Sequence, residues 1–134
     1  MSKRKKKYEP EPYERIGESK LSATIFASML QSYPWMQLTP QAQRLYLYMK
    51  LQKYGQRPLE GYPADTFVFN KAMYMKTYQL YSTWKQFDRD CKQLIEWGFI
   101  RVYENNQFAR TKNIYQFSVE WQNIEAKHRN IKSN

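Results

Sequence analysis

The chain has 134 residues, enough for one ordinary domain and too few for two. Its 42% hydrophobic content supports a packed core and excludes a wholly disordered chain, while a net charge of +10 points to a polyanionic partner such as nucleic acid. A lone cysteine, Cys91, excludes an internal disulfide, and no apolar run reaches the roughly 18 residues that span a bilayer.

From the N-terminus, residues 1–20 carry Lys3-Arg4-Lys5-Lys6-Lys7 and then Glu, Pro and Tyr in alternation. Pro10 and Pro12 break both helix and strand, so this is a flexible basic arm, suited to a phosphate backbone or to solubilising the chain. Leu21, Ile25, Phe26, Met29 and Leu30 then form the stripe of a short amphipathic helix over 21–31, with Ser19 or Ser22 as its cap and Ser32-Tyr33-Pro34 as its stop. Leu38-Thr39-Pro40 starts a second helix: Thr caps, Pro takes the first helical position, and Leu38 staples onto the first turns. It runs to about Tyr54, buries Ala42, Leu45, Tyr46, Met49 and the stem of Lys53, and stops at Gly55 in a left-handed turn. Arg44, Lys50 and Arg57 fall elsewhere on the surface.

Residues 55–65 read as a loop and Thr66-Phe67-Val68-Phe69 as a short strand. Asn70 caps a short helix to about Lys76, and 77–81 form a turn. Ser82 is the expected cap of a long helix from Thr83 to Trp97. Its apolar face is Trp84, Phe87, Cys91, Leu94 and Ile95; Lys85, Gln86, Arg89, Lys92, Gln93 and Glu96 lie on the other faces. Gly98 ends it, and Phe99, Ile100 and Val102 begin a hairpin. A polar loop over 104–112 leads to a return strand with Ile114 and Phe117. Trp121 closes the core, and residues 122–134 are a polar, basic tail or frayed helix. Residues 21–121 thus form one domain, mainly α with a small β-hairpin, an α+β fold. Aromatic residues make up 17% of the chain; at these spacings they read as core rings, and as base-stacking platforms only in the alternative.

A helix feeding a β-hairpin in this way is how a winged helix-turn-helix domain ends. The order helix, helix, strand, short helix, long helix, hairpin resembles the winged-helix replication-initiator type of DNA-binding protein found on plasmids, phages and conjugative elements. Three passages carry the resemblance: Leu38 to Tyr46, Phe87 to Ile100 with its Leu94-Ile95-Glu96-Trp97-Gly98-Phe99-Ile100 exit, and Asn113 to Phe117. It implies double-stranded DNA binding on a mobile genetic element, in DNA replication, in conjugation as a relaxosome accessory factor, or in transcriptional regulation. Asp88 and Asp90 beside the basic residues, and the aromatic short helix before them, depart from the pattern.

No enzymatic chemistry is expected. One His and one Cys cannot build a structural zinc site, His128 reads as a solvated residue, Cys91 as a packed thiol, and the four glycines are too scattered for a phosphate loop. No cofactor is implied. On the DNA-binding reading, Gln86 and Arg89 suit adenine and guanine edges, Thr83 lies at the helix start, and Lys85 and Lys92 suit phosphates. Asn105, Asn106, Arg110 and Lys112 in the hairpin loop suit backbone or minor groove. The alternative is a protein-interaction module that tethers or inhibits a relaxase, helicase or replication protein, with Tyr74, Tyr78, Tyr81 and Trp84 as its hot spot. No membrane association is expected. No heptad marks a dimer helix, so monomer and homodimer both stay open. A charged N-terminus without an apolar stretch lacks a secretory signal, so a cytoplasmic location is expected.

Overall fold

The computed structural model describes residues 9–18, 20–76, 79, 81–105 and 113–133. Among them six α-helices and three strands follow in the order α1 (Ala27–Leu30), α2 (Tyr33–Gln37), α3 (Pro40–Tyr54), β1 (Thr66–Val68), α4 (Lys71–Lys76), α5 (Trp84–Glu96), β2 (Ile100–Glu104), β3 (Ile114–Phe117) and α6 (Glu120–Ser133). The strands form one antiparallel sheet in the order β1-β3-β2, so the fold is mixed α+β. Phe67, Ile100, Tyr115 and Phe117 face the helices and close the core. Among the described residues no helix is long and apolar enough to cross a membrane.

α3 forms as its sequence dictates. Thr39 Oγ1 accepts from the Ala42 amide, Pro40 follows, and Ala42, Leu45, Tyr46 and Met49 are buried. Its end differs from expectation. Gly55 sits at φ −86° and ψ −2°, in the right-handed region, and its amide still bonds to the Leu51 carbonyl. Arg44 is half-buried and reaches the Tyr74 hydroxyl instead of lying on the surface.

The stretch before α3 also departs from the expected helix over 21–31. Only Ala27–Leu30 is helical; residues 20–26 have no regular structure, and Lys50 Nζ donates to the Thr24 carbonyl. Ser32-Tyr33-Pro34 does not stop a helix but starts one. Ser32 Oγ accepts from the Trp35 amide, and Pro34 lies in the first turn of α2, where its missing N–H costs nothing.

The C-terminal residues form a 14-residue helix docked on α2. Glu125 Oε2 accepts from the Tyr33 amide at 2.6 Å, and the His128 ring stacks on Tyr33 at 3.7 Å with planes 3° apart. His128 is therefore a packed ring and not a solvated one. Trp121 stacks on Phe99 at 5.9 Å, which places it on the core as expected.

Candidate nucleic-acid interface

α5 is fixed at both ends. At its C-terminus the Gly98 amide bonds to the Ile95 carbonyl and the Phe99 amide to the Leu94 carbonyl, a Schellman motif. Gly98 has φ +81°, and a Cβ there would lie 2.5 Å from the Trp121 nitrogen. The stop at Gly98 thus needs glycine for both conformation and space. At its N-terminus the cap is Thr83, not Ser82. Thr83 Oγ1 accepts from the Gln86 amide, and Gln86 Oε1 accepts from the Thr83 and Ser82 amides and from the Ser82 hydroxyl.

That capping box occupies two of the residues expected to read bases. Thr83 and Gln86 are spent locally on orphan helix amides, so their side chains are explained by helix geometry alone. The basic residues are different. Lys85, Arg89 and Lys92 are all exposed, four and three residues apart, and so share one outward stripe. Arg89 is 64% exposed; its Nε approaches Asp90 Oδ1 at 3.7 Å.

Asp90, a departure from the winged-helix pattern in the sequence, does not dilute this basic stripe. It is fully buried, accepting from the Tyr81 hydroxyl and from Gln93 Nε2. Burial, and next the bond to Asp90, push the Tyr81 hydroxyl well above the usual tyrosine range. Gln93 also joins the cap of α3: its Oε1 accepts from the Thr39 amide and its Nε2 donates to Thr39 Oγ1. Asp90 and Gln93 therefore set α5 against α3, leaving Asp88 and Glu96 as the exposed carboxylates of the helix.

The predicted apolar face is only partly inward. Phe87, Cys91 and Leu94 are buried, but Trp84 is 50% exposed and Ile95 also meets solvent. Trp84 begins the helix, and Lys71 Nζ lies 5.1 Å from its ring, a cation–π contact. Sequence periodicity missed this pair because it assigns position 84 by spacing alone. Burial pushes the Cys91 thiol up to about 11, so it stays protonated at neutral pH, as a packed thiol should.

In the hairpin, β2 pairs with β3 through Ile100↔Phe117, Arg101↔Gln116 and Val102↔Tyr115, with a bulge before Glu104↔Ile114. Val102 lies on the outer strand of the sheet and is partly exposed instead of joining the core. Arg101, a cation absent from the expected contacts, donates from Nε to Gln116 Oε1; Gln116 Nε2 in turn donates to Asp65 Oδ1 at 2.8 Å. Asn105 is exposed at the end of β2. Asn106, Arg110 and Lys112 lie outside the described residues, as does Tyr78.

The aromatic cluster expected to serve protein contacts is not a surface patch. Tyr74 and Tyr81 belong to the core, with ring centroids 5.4 Å apart, and only Trp84 of the described members is exposed. Among the described residues no three His, Cys, Asp or Glu side chains gather as metal ligands. No protein-family model, curated protein or solved structure matches this chain.

Proposed function

We propose that this chain binds double-stranded DNA as a winged helix-turn-helix protein, with α5 as recognition helix and the β2–β3 hairpin as wing. It would act for a mobile genetic element, as a replication or transfer accessory factor or as a transcriptional regulator. The observation that carries this reading is the outward side of α5. Lys85, Arg89 and Lys92 stand exposed along one stripe; of the two carboxylates between them Asp90 is turned into the core, and the three cations outnumber the exposed Asp88. The order α3, β1, α4, α5, β2, β3 and the packing of α3 on α5 support it, because α3 covers the opposite side of the helix and leaves that stripe in solvent.

Lys85 and Lys92 would lie against phosphates, and Arg89 would read a base edge or a phosphate. Fluorescence anisotropy with DNA flanking the gene and with scrambled DNA, at low and near-physiological salt, tests this. Specific binding should outlast the scrambled control as salt rises. Equal, salt-labile binding to both would reduce the charge to a general adhesive and overturn the reading.

A further inference from the structure

We propose that the cavity between α1, α3 and the start of α6 is a binding site for a small aromatic carboxylate, its ring among Phe26, Tyr46 and Trp121 and its carboxylate paired with Lys50. The cavity measures about 460 Å³ and is bounded as well by Met29 and Val119. Its composition is that of a ligand site: apolar and aromatic walls with a few polar side chains, Ser28, Ser118 and Gln122, and a single charged one, Lys50.

The walls are held from behind. Tyr46 and Trp121 both pack on Phe99, at 5.6 and 5.9 Å between ring centroids, and Met29 packs against the same core. The mouth is unusually apolar, since Phe26 is 74% and Val119 66% exposed. Large apolar side chains left in water at the edge of a cavity gain by being covered.

Lys50 selects the charge of the ligand. Its ammonium is partly buried and donates to the Thr24 carbonyl, with the Tyr46 and Tyr54 rings 5.9 and 6.0 Å away. Burial pulls its pKa below the usual lysine range. Among the described residues Lys50 belongs neither to the Arg89–Asp90 nor to the Arg129–Glu125 ion pair, and no carboxylate lines the cavity beside it. A partly desolvated cation without a counter-ion favours an incoming anion, and one carbonyl leaves N–H groups to bind it. A further cavity of about 330 Å³, between α3, β1 and α4, has no charged side chain in its wall and so lacks this feature.

Calorimetric titration of the full chain with 2-naphthoate, and with the neutral 2-naphthalenemethanol as control, tests the proposal. Naphthoate should saturate one site. Lys50→Met, which keeps the aliphatic stem, should weaken naphthoate at least about tenfold and leave the alcohol unchanged, as loss of a charge-assisted bond requires. Val119→Asp, at an exposed rim position that folding tolerates, should repel naphthoate more than the alcohol. That variant decides the matter if Lys50→Met lowers the melting temperature. Absence of saturation, or equal binding of acid and alcohol by parent and both variants, would overturn it.

Discussion

The C-terminal end of α5 packs on rings, whereas its N-terminal half adds directional polar partners to the packing of Phe87 on Phe69 and Tyr81. At the first, Gly98 turns the chain left-handed beneath the Trp121 backbone, and Phe99 lands among Trp35, Tyr46 and Trp121. At the second, a capping box stands beside a buried carboxylate that the Tyr81 hydroxyl holds, with Trp84 left in solvent. The apolar end anchors the helix to the sheet by shape. The polar end fixes its rotation, because hydrogen bonds are directional, and so decides which side chains point outward.

The contrast can be broken from either end, and the largest effect is expected at the glycine. Gly98→Ala forces a Cβ against the Trp121 nitrogen at a positive φ, so a destabilisation on the order of 3 kcal/mol is expected by urea denaturation. A loss below about 0.5 kcal/mol would show that α6 is not held against this turn. Tyr81→Phe comes next: it strips a donor from buried Asp90 and should cost about 1–3 kcal/mol. A double-mutant cycle with Asp90→Asn should show strong coupling; additive losses would separate the two residues.

Thr83→Ala should cost about 1 kcal/mol, the usual worth of an N-cap, and should weaken all DNA sequences alike. A change of sequence preference instead would return Thr83 to base readout. The smallest effect is expected away from α5, at Glu125. The Tyr33 amide, and after it Arg129, hold the Glu125 carboxyl below the usual carboxylate range. With the folded value depressed, its stabilisation is complete above the unfolded pKa and fades as pH falls through the folded one. Glu125→Gln should therefore lower the melting temperature slightly at neutral pH, flatten the acid limb of its pH profile, and meet the parent at low pH, where the parent carboxyl is protonated.

The same two ends explain what the sequence disclosed. Gly98-Phe99-Ile100 and Thr39-Pro40 are local signals whose meaning does not depend on the rest of the chain, and both mark the boundaries that the structure has. Asp90 and Tyr81 are nine residues apart, and nothing in helical spacing says that a carboxylate will turn inward to meet a hydroxyl. Pro34, the second residue of α2, lies in a first turn as Pro40, the first residue of α3, does, yet without a Thr-Pro pair before a long periodic run it reads as a stop. The polar composition of 122–134 conceals the length of α6: beyond Trp121 on Phe99, its docking comes from Glu125 and His128 both meeting Tyr33. Of the proposed interface, Lys85, Arg89 and Lys92 are legible as outward cations, while Thr83 and Gln86 form the capping box of the helix.

The central claim is that the exposed stripe of α5 meets DNA phosphate. The most direct measurement compares the salt dependence of DNA affinity for the parent, for Lys85→Ala/Arg89→Ala/Lys92→Ala, and for Arg57→Ala/Lys127→Ala/Arg129→Ala, which removes the same charge from exposed positions elsewhere. The slope of log affinity against log salt should fall by about 0.9 for each phosphate that the α5 variant no longer neutralises, and should stay near the parent value in the control. Equal reductions in the two variants would mean that DNA responds to net charge alone and that α5 is not the contact surface.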